Sequence, residues 1–100
     1  MMTMMKFEWD DEKSEANRKN PKRGFGFDEV TPVFLDPFRF TFLDDRFAYG
    51  EERWSTFGEI EGRLFNVIYT MRGDSIRIIS ARKANKRERK QYDAYRENNT

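Results

Sequence analysis

The chain reads as an α+β domain, and three observations carry that reading. Between Phe38 and Ala81, four segments of β-type patterning follow one another through short turns. Ahead of them lie two helix-like stretches with capping residues. After them, a β-branched run turns abruptly into a cationic helix near Asn85. Consecutive strands joined by short turns pair antiparallel. The expected architecture is therefore N-terminal helices packed on one face of a four-stranded antiparallel sheet, with a basic C-terminal helix. One hundred residues suffice for one domain with a modest core, ordered from about residue 6 to 95.

Lys6-Phe7-Glu8-Trp9 alternates polar and apolar residues and predicts a short strand. Asp10 then caps a polar surface helix reaching about Lys19, with Asp11 and Glu12 at its positive end and Ala16 among its few apolar residues. Asn20 to Gly26 is loop by its Pro and Gly content. Phe27, Val30, Val33 and Phe34 outline an apolar-faced helix beginning near Asp28. Pro32 disfavours that start and allows a later one, with Thr31 as cap and Pro32 first. Asp36-Pro37 ends it. Phe38, Phe40 and Phe42 alternate with Arg39 and Thr41, a strand with one apolar face. Leu43 to Gly50 is loop; Arg53 to Phe57 and Leu64 to Met71 are strands about a turn at Glu59 to Gly62. Arg72-Gly73-Asp74 is a second tight turn, and Ser75 to Ala81 completes the meander. On that last strand simple alternation groups Arg77 with Ile79 and Ala81. Asn85 and Glu88 form a capping-box pair for the final helix, which offers Tyr92, Ala94 and Tyr95 as apolar contacts and frays from Asn98.

Formal charge is +1, but it is divided. Residues 72–96 hold nine Lys/Arg and three Asp/Glu, a net +6; the rest holds ten against fifteen, a net −5. A basic end on an acidic body suggests polyanion contact on one face. Lys86, Arg87 and Arg89 also crowd the positive end of a helix, against the dipole; a run of cations on a terminal helix is equally the look of a solvated face. No apolar run is long enough to cross a bilayer, and the opening MMTMMKFEWD lacks the features of a secretion signal. With no cysteine, a reducing cytoplasm is the expected setting. Histidine is absent as well, removing the commonest general base and metal ligand. No metal or cofactor is expected.

What remains for chemistry is Arg, Lys, Tyr, Ser and carboxylates. Cleavage of RNA needs only these: the 2′-hydroxyl in line with phosphorus, cations for the phosphoryl oxygens, and help for the leaving group. Arg53, Arg77 and Arg82, on neighbouring strands, can converge as phosphate clamps. Lys83, Glu51 or Glu52 can accept a proton, and Tyr92 or Arg82 can assist departure. Lys22, Arg23, Lys86 and Arg87 are further phosphate contacts. Trp54 or Tyr49 can stack unpaired bases, although Trp at a strand position is also ordinary core.

Several segments together resemble the BrnT family of toxins from bacterial type II toxin–antitoxin pairs. They are FEWD with Lys13, Ala16 and Asn17; Lys22-Arg23-Gly24; Phe27-Asp28-Glu29-Val30; Val33-Phe34 and Asp36-Pro37. Tyr49 to Trp54 with Gly58, Val67 with Tyr69-Thr70, Arg77 to Arg82, Arg87-Glu88-Arg89 and Tyr92 continue the likeness. It covers about residues 6 to 92. The resemblance implies a RelE-like fold and a ribonuclease that arrests translation. It implies a BrnA-like ribbon-helix-helix antitoxin as partner, with DNA met only through the antitoxin complex. It also implies site roles for Arg53, Arg77 and Arg82, and for Glu51, Glu52 and Tyr92. One position departs: Arg23 stands where the family pattern has histidine, and arginine is a poor base. The rival to a metal-independent endoribonuclease is a non-catalytic module that binds nucleic acid or protein through the basic helix.

Overall fold

The computed structural model describes residues 5–46 and 48–100; the opening Met1 to Met4, read above against a secretion signal, and Phe47 of the loop lie outside them. Strand β1 (Lys6–Trp9) and helix α1 (Asp11–Lys19) are followed by a 3₁₀ helix (Phe27–Leu35) and strands β2 (Phe40–Leu43), β3 (Trp54–Ile60), β4 (Arg63–Arg72) and β5 (Ser75–Lys83). Helix α2 (Lys86–Asn98) ends the chain. The α+β class is as expected, but the sheet is five-stranded and mixed, in the order β1-β5-β4-β3-β2. The meander leaves the outer edge of β5 unpaired, and β1 takes it in parallel, from Lys6↔Ser75 to Trp9↔Ile78. An open edge with a matching apolar face (Phe7 and Trp9 beside Ile76 and Ile78) recruits the strand.

Two layers cover the sheet. On one face, Phe65, Val67, Ile78 and Ala81 pack against Phe25, Phe27, Val30, Val33 and Phe34. The nine-residue helix carrying the last four is 3₁₀ throughout, with Pro32 inside it. It starts at Phe27 rather than Thr31, because the Glu29 carboxylate accepts from the Gly26 amide at 2.7 Å and Ser14 Oγ accepts from the Phe27 amide at 2.8 Å. It lies so close to β3 that a Cβ on Gly58 would sit 2.7 Å from Val33 Cγ1, so only glycine fits there. Helix α1 buries Ser14 and Asn17 while Ala16 is exposed. It docks through hydrogen bonds, Asn17 Nδ2 donating to the Phe25 carbonyl at 2.8 Å.

On the other face, α2 seats Tyr92 against Phe57 and Leu64, with Phe38 and Phe40 alongside. Of its three expected apolar contacts, Tyr92 is fully buried, Tyr95 only leans on Phe40, and Ala94 is exposed. Ion pairs complete the docking: Arg89 and Arg96 both reach Glu59. Buried Asp36 accepts from the Tyr92 hydroxyl at 2.5 Å and from the amides of Glu59 at 2.7 Å and Phe38 at 2.8 Å. Burial pushes the Asp36 carboxyl up, but these three donors outweigh it and hold it below the usual range. Burial also raises the Tyr92 phenol well above its ordinary value, with Asp36 adding to the effect.

Strand β5 breaks regular pairing once. Ile68↔Ser80 is followed by Tyr69↔Ile78, so Ile79 is an extra residue in a bulge. Past it, side-chain parity reverses. Arg77, opposite Thr70, therefore shares its face with Ser80 and Arg82, not with Ala81 as alternation suggests.

Because Asp36 titrates lower folded than unfolded, its stabilisation is complete above about pH 3.9 and is lost as pH falls through the folded value. Urea midpoints should therefore fall more steeply below about pH 4 for the native chain than for Asp36→Asn, which starts lower at neutral pH. Tyr92→Phe should cost about 1.5–3 kcal/mol at pH 7 with an unchanged urea slope. A loss under about 0.5 kcal/mol would mean that this hydrogen bond does not hold α2.

Candidate nucleic-acid interface and active site

The face under α2 is only partly covered. Beyond the N-terminal end of the helix lies a groove of about 290 Å³ with Phe42, Ser55, Asn66 and Ile68 at its base. These residues share one face by register: Phe42↔Ser55, Ser55↔Ile68 and Phe57↔Asn66. Arg82, opposite Asn66, points to the same side, and Glu88 from the first turn of α2 closes one wall. The loop after β2 supplies the other wall with Asp44, Asp45 and Arg46.

Both groove arginines are anchored. Arg82 holds Glu88 through two hydrogen bonds of 2.8 Å, and Glu88 in turn accepts from the Asn85 amide as the capping box requires. The hydrogen bond from Arg82 keeps Glu88 below the ordinary glutamate value, so it is a carboxylate at neutral pH. Arg46 grips Asp44 through Nε at 2.7 Å and Nη2 at 3.0 Å, and that pair likewise holds the buried Asp44 low. The two guanidinium groups repel one another across the groove. Such a pair, fixed in place by carboxylates and half-exposed, is preorganised for a phosphate. Arg46 is absent from the residues expected on sequence grounds. Its signal is the Asp44-x-Arg46 spacing in a loop.

Arg53 and Arg77 stand further along the same face. Arg77 is opposite Thr70, and the Trp54↔Tyr69 register carried back one residue sets Arg53 on the far side of Thr70. Four residues of β4 separate this row from Asn66 and Arg82, about 13 Å along the strand. Arg53 stacks over the Tyr49 ring at 4.0 Å and pairs with Glu51 at 3.2 Å. Arg77 is only loosely paired, 4.0 Å from Glu8. Glu51 and Glu52 are exposed beside Arg53, and the Glu52 carbonyl accepts from Thr70 Oγ1.

Other expected site residues lie elsewhere. Tyr92, expected as a leaving-group acid, is sealed in the core with its hydroxyl on Asp36, so it supports the helix rather than meeting a substrate. Trp54 pairs with Tyr69 and so faces away from Arg53. Lys83, opposite Phe65, faces away from Arg82. Arg23 reaches the edge of β5 beyond β1, donating to the Ala81 carbonyl at 2.9 Å and to Asn17 Oδ1 at 3.2 Å. Lys22 is exposed in the loop, and Lys86 and Arg87 are exposed in the first turn of α2. Among the described residues no group of three or more acidic side chains gathers to hold a metal ion. No helix among them is long and apolar enough to cross a membrane.

The model of the family described as ribonuclease toxin, BrnT, of type II toxin–antitoxin systems matches residues 9–88. The chain belongs to that family. No curated protein matches it. Membership makes this BrnT-family chain a ribonuclease toxin with RNA as substrate and an antitoxin as partner. The matched span includes the last residue of β1, strands β2 to β5 and the Arg82–Glu88 pair.

If Glu88 screens Arg82, Glu88→Gln should strengthen polyanion binding. The variant should leave a heparin column at higher salt than the native chain, with little change in melting temperature because glutamine still caps the helix. Elution at the same salt would show that the pair does not limit access to Arg82.

Proposed function

We propose that RNA is held and cut in the groove between Arg46 and Arg82, without a metal ion, on a RelE-like scaffold. The observation that carries this reading is the pair of carboxylate-anchored guanidinium groups on opposite walls of one open groove. Arg53 and Arg77 extend the same face and take neighbouring phosphates. The 2′-oxygen bonds to phosphorus as the bond to the 5′-oxygen breaks, leaving a cyclic phosphate and a 5′-hydroxyl. Arg46 and Arg82 neutralise the phosphoryl oxygens, and Arg82 also hydrogen-bonds the departing oxygen, which takes its proton from water. Glu88 lines the groove and is the best-placed acceptor of the 2′-hydroxyl proton; Glu51 and Glu52 serve only a substrate centred on Arg53. A carboxylate held below its ordinary value is a weak base, so the cations carry most of the rate. Support for a metal-free reaction comes from a chain without histidine or cysteine.

The reading extends to a cytoplasmic setting and to a BrnA-like ribbon-helix-helix antitoxin, with DNA bound through the complex. Lys22, Lys86 and Arg87 stand outside the groove and meet RNA only beyond the few nucleotides that the groove holds. A second reading, binding without cleavage, is favoured by one fact: Arg53 and Arg82 are each already tied to a carboxylate.

Expression of the chain alone should arrest growth, and extracts should show new RNA ends that persist in EDTA. Arg46→Ala and Arg82→Ala should each lower cleavage by about 10²–10³-fold and relieve the arrest. Arg53→Ala and Arg77→Ala should weaken binding more than turnover. Salt-sensitive binding with no new RNA ends would replace this proposal with the second reading.

A further inference from the structure

A second cationic surface lies on the opposite side of the sheet. Lys83 follows Arg82 directly and therefore projects to the other face, opposite Phe65. Arg63, two residues before Phe65 on β4, shares that face, and such diagonal neighbours sit about 7–8 Å apart. Lys86, at the start of α2, lines the same hollow of about 390 Å³. A further hollow of about 500 Å³ adjoins it through the shared Arg63 and Lys83 and has Ile60 and Phe65 beneath it.

These three cations are not neutralised by close ion pairs. Arg18, Arg46, Arg53, Arg77, Arg82, Arg89 and Arg96 each have a carboxylate within 4.0 Å. Among the described residues no carboxylate lies that close to Arg63, Lys83 or Lys86. The nearby acids do not change this. Glu29 is taken by Arg18 and the Gly26 amide, and Glu61 lines the adjoining hollow but not the one that Lys86 lines. Nor is the helix terminus the attraction, since Asn85 and Glu88 already occupy each other's amides. Three unneutralised cations from three elements around one hollow repel one another, and a polyanion relieves that repulsion.

We propose that Arg63, Lys83 and Lys86 form a second phosphate-binding trough for single-stranded RNA flanking the cleaved bond. The proposal rests on the RNA reading of the first groove. The two surfaces meet at the end of β5, where Arg82 serves one and Lys83 the other, so a strand leaving the groove passes over the start of α2 into the trough. The substrate must then be a flexible single strand long enough to turn that corner; a duplex is too stiff.

Fluorescence anisotropy with uncleavable 2′-O-methyl RNAs of about 4 and about 16 nucleotides tests this. The triple variant Arg63→Gln, Lys83→Gln, Lys86→Gln alters exposed side chains and should melt with the native chain. It should bind the long RNA roughly tenfold more weakly, with a log–log salt slope shallower by about 2, at about 0.7 per lost contact. It should bind the short RNA unchanged. Equal affinity and slope for the long RNA would overturn the trough, as would weaker antitoxin binding with RNA binding intact. Failure of the first groove reads differently: Arg46→Gln with Arg82→Gln would then leave the short RNA bound as before.

Discussion

The Asp36 carboxylate is the constraint on which the rest of the molecule leans. It lies at the end of the 3₁₀ helix, yet its oxygens take the Glu59 amide on β3, the Phe38 amide leading into β2 and the Tyr92 hydroxyl from α2. A buried carboxylate is costly unless its lone pairs are met. Meeting them here brings both layers and two strands to one point. Tyr92 then fixes the position of α2 along the sheet, and with it Glu88 one turn earlier. The groove wall is thus set by a core hydrogen bond one turn further along the same face of the helix.

Charge is handled by pairing. Arg89 and Arg96 spend their charge on Glu59 and so on holding the helix down. Arg46 and Arg82 are held by Asp44 and Glu88 but remain partly open to solvent. This distinction between cations that fasten and cations that face outward is geometric. Composition and net charge do not contain it.

Much of the fold was legible because it is local. Capping at Asp10 and Asn85, the turns at Gly62 and Gly73, and the apolar alternation of β2 to β5 are all written in neighbouring residues. The pairing of β1 with β5 was not, since it joins segments almost seventy residues apart and depends on an edge left open by other strands. Parts of the site were closer to hand. Arg53 and Trp54, or Arg82 and Lys83, are sequence neighbours on strands, so alternation alone forbids each pair from sharing a face. Tyr92 was legible as an apolar contact of the last helix, but the capture of its hydroxyl by Asp36, which removes it from the site, joins distant segments and was not.

The bulge at Ile79 carries a different kind of consequence. Arg77 and Arg82 are an odd number of positions apart, so without one extra residue between them they would look in opposite directions. Exchanging the Ile79 side chain leaves this phasing alone. Gaining or losing a residue there exchanges what the two surfaces present beyond it, moving arginine and lysine across the sheet together. Over this stretch of chain, the number of residues sets the geometry of both surfaces and the side chain at the bulge does not.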